Sequence, residues 1–220
     1  KGYKDSKSKA DGIFDLYKEK KNETPVVGDV VFFGSYEQNN DLSDGKEDIE
    51  WCVLAKEDEK MLVISKYVLA NKPYNSSDSD ITWETSIAKS WLNGVFLNFS
   101  FTAEERDKMF VPERPESVSE NTVTDKIFLL SVDEVDKYFI DNAARQCFPT
   151  PYAVSQGIDT RKNYKSDGES TCRWWLRSSA IGNGFSAYVD NSGSVYYATS
   201  NFIDVQTGFR PAVWIDINLK

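Results

Sequence analysis

The stretch Cys172–Asp216 decides the fold; it reads CRWWLRSSAIGNGFSAYVDNSGSVYYATSNFIDVQTGFRPAVWID. After a dense aromatic start, apolar and polar residues alternate from Phe185 to Asp190, which is typical of a half-buried strand. The segment Asp190–Gly193 supplies a turn, because glycine tolerates positive φ at its end. Residues Ser194–Ala198 then return as the partner strand, so the stretch is predicted to contain an antiparallel hairpin.

A second hairpin is predicted nearer the start of the chain. Ile49–Lys56 alternates in the same way, Glu57–Lys60 turns, and Met61–Ser65 returns. We expect both hairpins to share one core with a strand over Phe209–Ile215.

Short helices are predicted between the two β-rich regions. Thr102 with Glu105, and Ser131 with Glu134, have the spacing of capping boxes, which open helices. An order of strands, helices and strands again predicts an α+β fold, with a mainly antiparallel sheet and flanking short helices.

Length and charge restrict the class of protein. The 220 residues are 40% hydrophobic and 14% aromatic, enough for one core. We predict a linker and short N-terminal helix over residues 1–24 and a single α+β domain over residues 25–220. The net charge is −9. An acidic body repels phosphate backbones and anionic lipids, so we expect no nucleic acid partner and no membrane insertion by this segment.

The residue types needed for common chemistry are scarce. The chain has no His, and its three Cys, at positions 52, 147 and 172, have no CxxC spacing. We predict no metal site, no cofactor and no catalytic nucleophile, with three reduced, mostly buried thiols. One disulfide with a free thiol stays open as the alternative. The loop Asn39–Glu50 looks faintly like a calcium loop, but Asp44 stands where the sharp turn needs glycine.

Aromatic residues are the candidates for recognition. Alternation along a strand predicts that one of Trp174 and Trp175 faces outward or into a cleft. Tyr188, and one of Tyr196 and Tyr197, are predicted to share a face of the second hairpin. With amides at the connections, the predicted ligand-binding residues are Trp175, Asn183, Tyr188, Tyr196 and Asn201. The tryptophans that we expect in the core are Trp51, Trp91, Trp174 and Trp214.

Eight ordered segments carry a resemblance to a known family. They are GDVVFFG (28–34), IEWCVL (49–54), LVISKY (62–67), TWE (82–84), KSWLN (89–93), FLLS (128–131), WWLRS (174–178) and GFRPA (208–212). Together they resemble an uncharacterised domain family of Gram-positive bacteria, many from the gut, found in lipoproteins and large envelope proteins. The resemblance implies an extracellular or cell-surface location, on a lipoprotein or envelope protein whose anchor and other domains lie outside the given chain.

A more distant similarity is to the fold shared by C-type-lectin-like domains and the formylglycine-generating enzymes (sulfatase-modifying factors). There too a Trp-rich segment and a hairpin precede a terminal Gly-Phe-Arg-type strand. The departures are specific: the chain has no Glu-Pro-Asn or Gln-Pro-Asp triplet for calcium and sugar, and no Cys follows Cys172. The similarity therefore implies the fold and not the activity.

Our leading hypothesis is a non-catalytic extracellular binding or interaction module of a bacterial envelope protein, with a glycan or a protein as ligand. The alternative is a carboxylate-based enzyme acting on a saccharide, because carboxylates are the plausible acid–base groups in a chain without His. A structural spacer within a larger envelope protein is the third hypothesis.

Overall fold

The structure is a computed structural model that describes residues 24–76, 82–111, 125–162, 170–179, 185–197 and 206–219. Its content is mixed, with about 24% helix and 37% strand. This agrees with the predicted α+β class, while the lectin-like topology stays a prediction. The predicted N-terminal helix and linker lie outside the described residues.

The described strands are numbered in chain order. They are β1 (Val30–Tyr36), β2 (Glu47–Glu57), β3 (Lys60–Ser65), β4 (Ala70–Asn71), β5 (Met109–Phe110), β6 (Ile127–Phe128), β7 (Thr160–Lys162), β8 (Ser170–Ser179), β9 (Ser186–Val189), β10 (Val195–Tyr197), β11 (Thr207–Phe209) and β12 (Ala212–Asp216).

The described helices are short. A 3₁₀ turn (Trp83–Thr85) precedes α1 (Ile87–Trp91), a π-helical turn (Leu92–Phe96) and α2 (Leu97–Ser100), followed by α3 (Ala103–Asp107), α4 (Val132–Tyr138), α5 (Asn142–Arg145) and α6 (Pro151–Ser155).

The strands form two sheets. The first has the order β1-β2-β3-β12-β5 with β6 also on β12, and the second has the order β10-β9-β8-β11-β4 with β7 on β8. Between these named strands, the pairs are antiparallel except for β8 with β11. Both predicted hairpins are confirmed, as β2–β3 and β9–β10.

One buried cluster joins both sheets, as predicted. Trp51 is fully buried in the first sheet, and its Nε1 donates to the carbonyl of Phe33 at 2.7 Å. Trp174 and Val189 of the second sheet belong to the same cluster, as does Trp214 of β12. The tryptophan predictions are confirmed for these positions, and Trp91 is half-buried against the cluster.

The prediction of one strand over Phe209–Ile215 is wrong. The chain leaves the second sheet after Phe209 and enters the first at Ala212, so Arg210 and Pro211 form a crossing between sheets. Pro211 cannot donate to a ladder, but its carbonyl accepts from the amide of Ser65 at 2.9 Å. The proline interrupts the strand while its oxygen stays satisfied.

Both predicted capping boxes are confirmed. The side chain of Thr102 accepts from the amide of Glu105 at 3.2 Å, and Ser131 accepts from Glu134 at 3.1 Å. The first of these helices ends at Asp107, because Met109 pairs with β12 as part of β5.

Replacing Gly208 by alanine should destabilise the fold. A Cβ there would lie 2.3 Å from Val68 Cγ1, 2.7 Å from Ile158 Cδ1 and 2.8 Å from the carbonyl oxygen of Ala70. Ala70 pairs with β11, so this oxygen has little freedom to move. We expect Gly208→Ala to lower the free energy of unfolding by about 3 kcal/mol, measured by denaturant titration.

Gly94→Ala is the matched control, since a Cβ at Gly94 would meet nothing within 4 Å. It should leave the free energy of unfolding unchanged or raise it by about 0.5 kcal/mol. Equal losses for both variants would contradict the close approach at Gly208.

The buried thiols should react only when the protein unfolds. Cys147 and Cys172 are buried, and burial raises the pKa of both thiols above the ordinary 9.0. A thiol reagent at pH 8 should leave both unmodified in the native chain and modify both in denaturant. Because each thiol has a higher pKa in the folded chain than in the unfolded chain, the unfolded chain loses these protons at a lower pH. The contribution of the two thiols to stability is therefore present below pH 9 and is lost as the pH rises above it. Full modification of the native protein within seconds would contradict this burial.

Candidate functional site

Three of the sequence-predicted site residues meet in cross-strand register on the second sheet. Trp175 of β8 pairs with Tyr188 of β9, which pairs with Tyr196 of β10. The ring centroids lie 6.2 Å apart for Trp175 and Tyr188, edge to face, and 6.1 Å apart for Tyr188 and Tyr196, stacked. Directly opposed aromatic pairs stabilise a sheet. We call these three residues the aromatic ladder.

The aromatic ladder runs from the core to the surface. Trp175 is 0% exposed, Tyr188 is half-buried, and Tyr196 at the last described strand of the sheet is 51% exposed. A ligand at this surface would therefore contact Tyr196 and the accessible part of Tyr188, while Trp175 supports them from below.

The prediction that one of Trp174 and Trp175 faces outward is wrong, because both are fully buried. β8 lies in the middle of the second sheet and both of its faces are covered. On one face the ring of Phe139 lies 6.2 Å from that of Trp174. On the other face the ring of Tyr74 lies 5.5 Å from that of Trp175. Strand alternation separates the two indoles, but it exposes one only when a face is open to solvent.

Tyr74 supports the inner end of the aromatic ladder as a neutral group. It is fully buried between Trp175 and Trp83, whose ring centroid lies 6.5 Å away. Burial raises the pKa of Tyr74 to about 12. The hydroxyl therefore stays protonated at neutral pH, and the residue packs without adding charge below the ladder.

Arg173 adds a cation that the sequence analysis did not assign to the site. Its guanidinium carbon lies 5.4 Å from the ring centroid of Tyr188. The signal was available, since Arg173 precedes Trp175 by two positions and strand periodicity puts the two on the same face. A guanidinium over a tyrosine ring stabilises it by a cation–π interaction and holds positive charge beside the aromatic ladder.

The turn between β9 and β10 is held rigidly. The Asp190 carboxylate accepts from the amides of Ser192 at 2.8 Å and Ser194 at 3.0 Å. Gly193 has φ +87°, as the turn prediction required, and a Cβ there would lie 1.7 Å from the carbonyl oxygen of Asn142. The hairpin therefore packs closely on α5, and Tyr196 is presented by a fixed support.

The two predicted amide residues, Asn183 and Asn201, lie outside the described residues. Asn191 is a further amide at a connection, and it lies in the described turn between β9 and β10. Its Nδ2 donates to the carbonyl of Thr171 at 2.6 Å, and its own carbonyl accepts from Thr171 Oγ1 at 2.9 Å. Asn191 therefore ties β8 to the turn.

Two clusters of charged side chains include residues of the recognised motifs, and contacts within the chain hold both clusters in place. Arg177 forms a two-point ion pair with Glu134, with Nη2 2.7 Å from Oε1, and its Nη1 donates to the carbonyl of Leu129 at 2.7 Å. Bidentate pairing of this kind fixes orientation, so Arg177 joins β8 to the start of α4.

The second cluster is centred on Asp125, which is buried. Its Oδ2 accepts from Trp83 Nε1 at 3.0 Å, and its Oδ1 lies 3.2 Å from Lys89 Nζ. Lys89 also pairs with Glu84. These contacts hold the segment before α1 against the start of β6, and they use the carboxylate for structure.

The acidic loop after β1 is held by its own hydrogen bonds. Asn39 donates to Asp44 at 2.9 Å, and Asp41 accepts from Ser43, which lowers the pKa of the Asp41 carboxyl. Within the described segments, no group of three or more His, Cys, Asp or Glu residues is arranged to hold a metal ion. No helix in that part of the chain combines the length and apolar character needed to cross a membrane.

Comparison with known proteins gives a family without an assigned activity. Residues 58–217 match DUF6273, a domain of unknown function. The match covers more than two thirds of the 220-residue chain and includes the recognised segments from LVISKY to GFRPA, while the two earlier segments precede it. No curated protein and no solved structure matches significantly. The chain therefore belongs to the DUF6273 family, a family of unknown function.

Proposed function

We propose that this chain is a non-catalytic binding module that recognises a glycan through the exposed end of the aromatic ladder. The observation that carries the proposal is the half-exposed ring of Tyr196, stacked on Tyr188 at the outer strand of the hairpin. The C–H face of a sugar ring packs on an aromatic ring while its hydroxyls stay hydrated at the edge. Flat aromatic surfaces with polar neighbours therefore suit saccharides.

Preorganisation supports the same proposal. A tyrosine has two rotatable side-chain bonds, so it offers a large contact area at a small loss of entropy on binding. Tyr196 loses even less, because its ring already rests on Tyr188 and the turn is fixed by Asp190 and Gly193.

The wider context in the proposal comes from the motif resemblance. We propose an extracellular or cell-surface location, in a lipoprotein or a large envelope protein. Asn183 and Asn201 are the proposed polar groups at the margin of the surface, and Trp175 is its buried support. A protein ligand is the other class that such a surface accepts, since tyrosine is common at interface hot spots.

Tyr196→Ala should weaken binding without unfolding the chain. On glycan and host-protein arrays, we expect a saturable glycan ligand whose affinity falls at least tenfold in this variant, about 1.4 kcal/mol. Stability should change by less than about 1 kcal/mol, because Tyr196 is 51% exposed. Tyr196→Phe, which keeps the ring, should retain most of the affinity.

Tyr197→Ala is the matched control. Tyr197 is 50% exposed and is the next residue in the strand, so it points to the other side of the sheet. It should leave binding unchanged. If Tyr197→Ala lost binding while Tyr196→Ala bound normally, the ligand would bind the opposite face of the sheet, and the proposed face would be wrong. Hydrolysis of an array ligand would overturn the non-catalytic function and favour the carboxylate-based enzyme acting on a saccharide.

A further inference from the structure

The three cysteines of the chain come together beside the crossing between the sheets. Cys52 lies in β2 of the first sheet, Cys172 lies in β8 of the second, and Cys147 lies in the connection between α5 and α6. Burial raises the pKa of each thiol, and the positive charge of Arg210 opposes that rise at all three. The same guanidinium is therefore close to every thiol, and cysteines that are far apart in sequence form one cluster.

Cys147 and Cys172 are neighbours through their backbones. The amide of Cys172 donates to the carbonyl of Cys147 at 2.9 Å, and the Sγ atom of Cys172 lies 3.6 Å from the same oxygen. Residues joined by a backbone hydrogen bond between adjacent chains have Cα atoms about 5–6 Å apart. A disulfide joins Cα atoms that are roughly 4.4–6.8 Å apart, so this pair is within its reach without movement of the backbone.

The sulfur of Cys147 is held only by weak contacts. Its thiol donates to the carbonyl oxygens of Lys66 at 3.4 Å and Phe148 at 3.6 Å. A thiol is a weak hydrogen-bond donor, so these contacts oppose a turn of the side chain only slightly. Rotation about the Cα–Cβ bond of Cys147 is the change that brings its sulfur from Lys66 toward Cys172.

Cys52 has a different setting. It is half-exposed, whereas Cys147 and Cys172 are buried. Its ladder partners are Val30 in β1 and Ile64 in β3, so strands flank its backbone on both sides. The backbone hydrogen bond between Cys147 and Cys172 therefore favours that pair over one with Cys52.

We propose that Cys147 and Cys172 form a disulfide when the chain folds in an oxidising environment, and that Cys52 stays a thiol. The extracellular location proposed above is such an environment. The bond forms before folding buries the pair, and it does not involve Tyr196, so the inference is independent of the proposed glycan ligand.

Thiol–disulfide exchange with glutathione disulfide accounts for every atom and electron. The Cys147 thiolate attacks one sulfur of glutathione disulfide, and one glutathione thiolate leaves. The Cys172 thiolate then attacks the Cys147 sulfur of the mixed disulfide, and the second glutathione thiolate leaves. The two cysteine protons pass to the two glutathione thiolates. The cysteine pair thus loses two electrons, and glutathione disulfide gains them.

The bridge would connect the two sheets covalently. The segment after Cys147 is bonded to the segment after β3, because the amide of Val68 donates to the carbonyl of Phe148 at 3.0 Å and the amide of Thr150 donates to the carbonyl of Val68 at 3.0 Å. Cys172 belongs to β8 of the second sheet. Closing the loop between the two cysteines also removes conformational freedom from the unfolded chain, which stabilises the folded one.

The test refolds the full chain from denaturant, once with reduced glutathione alone and once with a mixture of oxidised and reduced glutathione. Remaining thiols are alkylated, and the protein is digested with trypsin without reduction for mass spectrometry. Arg161, Lys162 and Lys165 separate the two cysteines, so the bridge appears as two linked peptides. We expect the Cys147–Cys172 link and an alkylated Cys52 in the oxidised preparation, and three alkylated cysteines in the reduced one.

The bridge should also stabilise the fold. The equilibrium constant for unfolding, measured by urea titration, should be at least tenfold smaller for the oxidised chain than for the reduced chain. Cys147→Ala and Cys172→Ala should each abolish the link and this difference. Each variant is compared with its own reduced form, so a direct effect of the substitution on folding cancels. Cys52→Ala is the matched control and should keep both the link and the difference.

Three alkylated cysteines in the oxidised preparation would overturn the proposal. So would a link that contains Cys52, or a link between two chains that gives a dimer on a non-reducing gel. A Cys147–Cys172 link that leaves the equilibrium constant for unfolding unchanged, or raises it, would also overturn the proposal, because the native backbone would then not fit the bridge.

Discussion

The chain passes from one sheet to the other within two residues, Arg210 and Pro211, and the position of both sheets depends on this crossing. Arg210 is 5% exposed; its Nε donates to the carbonyl of Ser65 in the first sheet at 3.0 Å. Its guanidinium carbon lies 5.0 Å from the ring centroid of Trp174 in the second sheet. Burying a cation is costly, and the carbonyl and the aromatic face offset part of that cost. One side chain thus contacts both sheets where the backbone joins them, and Gly208 allows β11 to approach Val68 closely.

The crossing also determines which aromatic residues reach solvent. β11 enters the second sheet between β8 and β4, which leaves β8 with a partner on each side and a covered face above and below. Trp174 and Trp175 are therefore both internal, and the aromatic ladder reaches the surface only on the hairpin side, at Tyr196. The same crossing anchors α1, because the ring of Trp91 lies 5.6 Å from that of Phe209 at the end of β11. The proposed recognition surface and α1 are thus both attached to one central connection.

Two polar residues of the recognised motifs connect separate elements of the chain. Arg177 joins β8 to α4 through Glu134, and Asn93 acts as a strand partner for Ile127, accepting from its amide at 3.1 Å and donating to its carbonyl at 2.8 Å. Donors and acceptors that are withdrawn from water need such partners, so these residues connect distant elements of the fold. Recognition is better sought in exposed residues outside those contacts, such as Tyr196.

Local patterns in the sequence were sufficient for the hairpins, the capping boxes of Thr102 and Ser131 and the turn at Gly193, because these depend on neighbours a few residues apart. They also placed Tyr188 and one of Tyr196 and Tyr197 on a shared face, and the structure identifies Tyr196 as that residue. The burial of Trp175, the division of the Phe209–Ile215 segment and the cation of Arg173 over Tyr188 came only with the tertiary structure. Each depends on elements distant in sequence: Tyr74 covers Trp175, and β3 and β4 receive the two halves of the divided strand. Alternation determines which residues share a face, whereas only packing decides whether that face meets solvent or another layer.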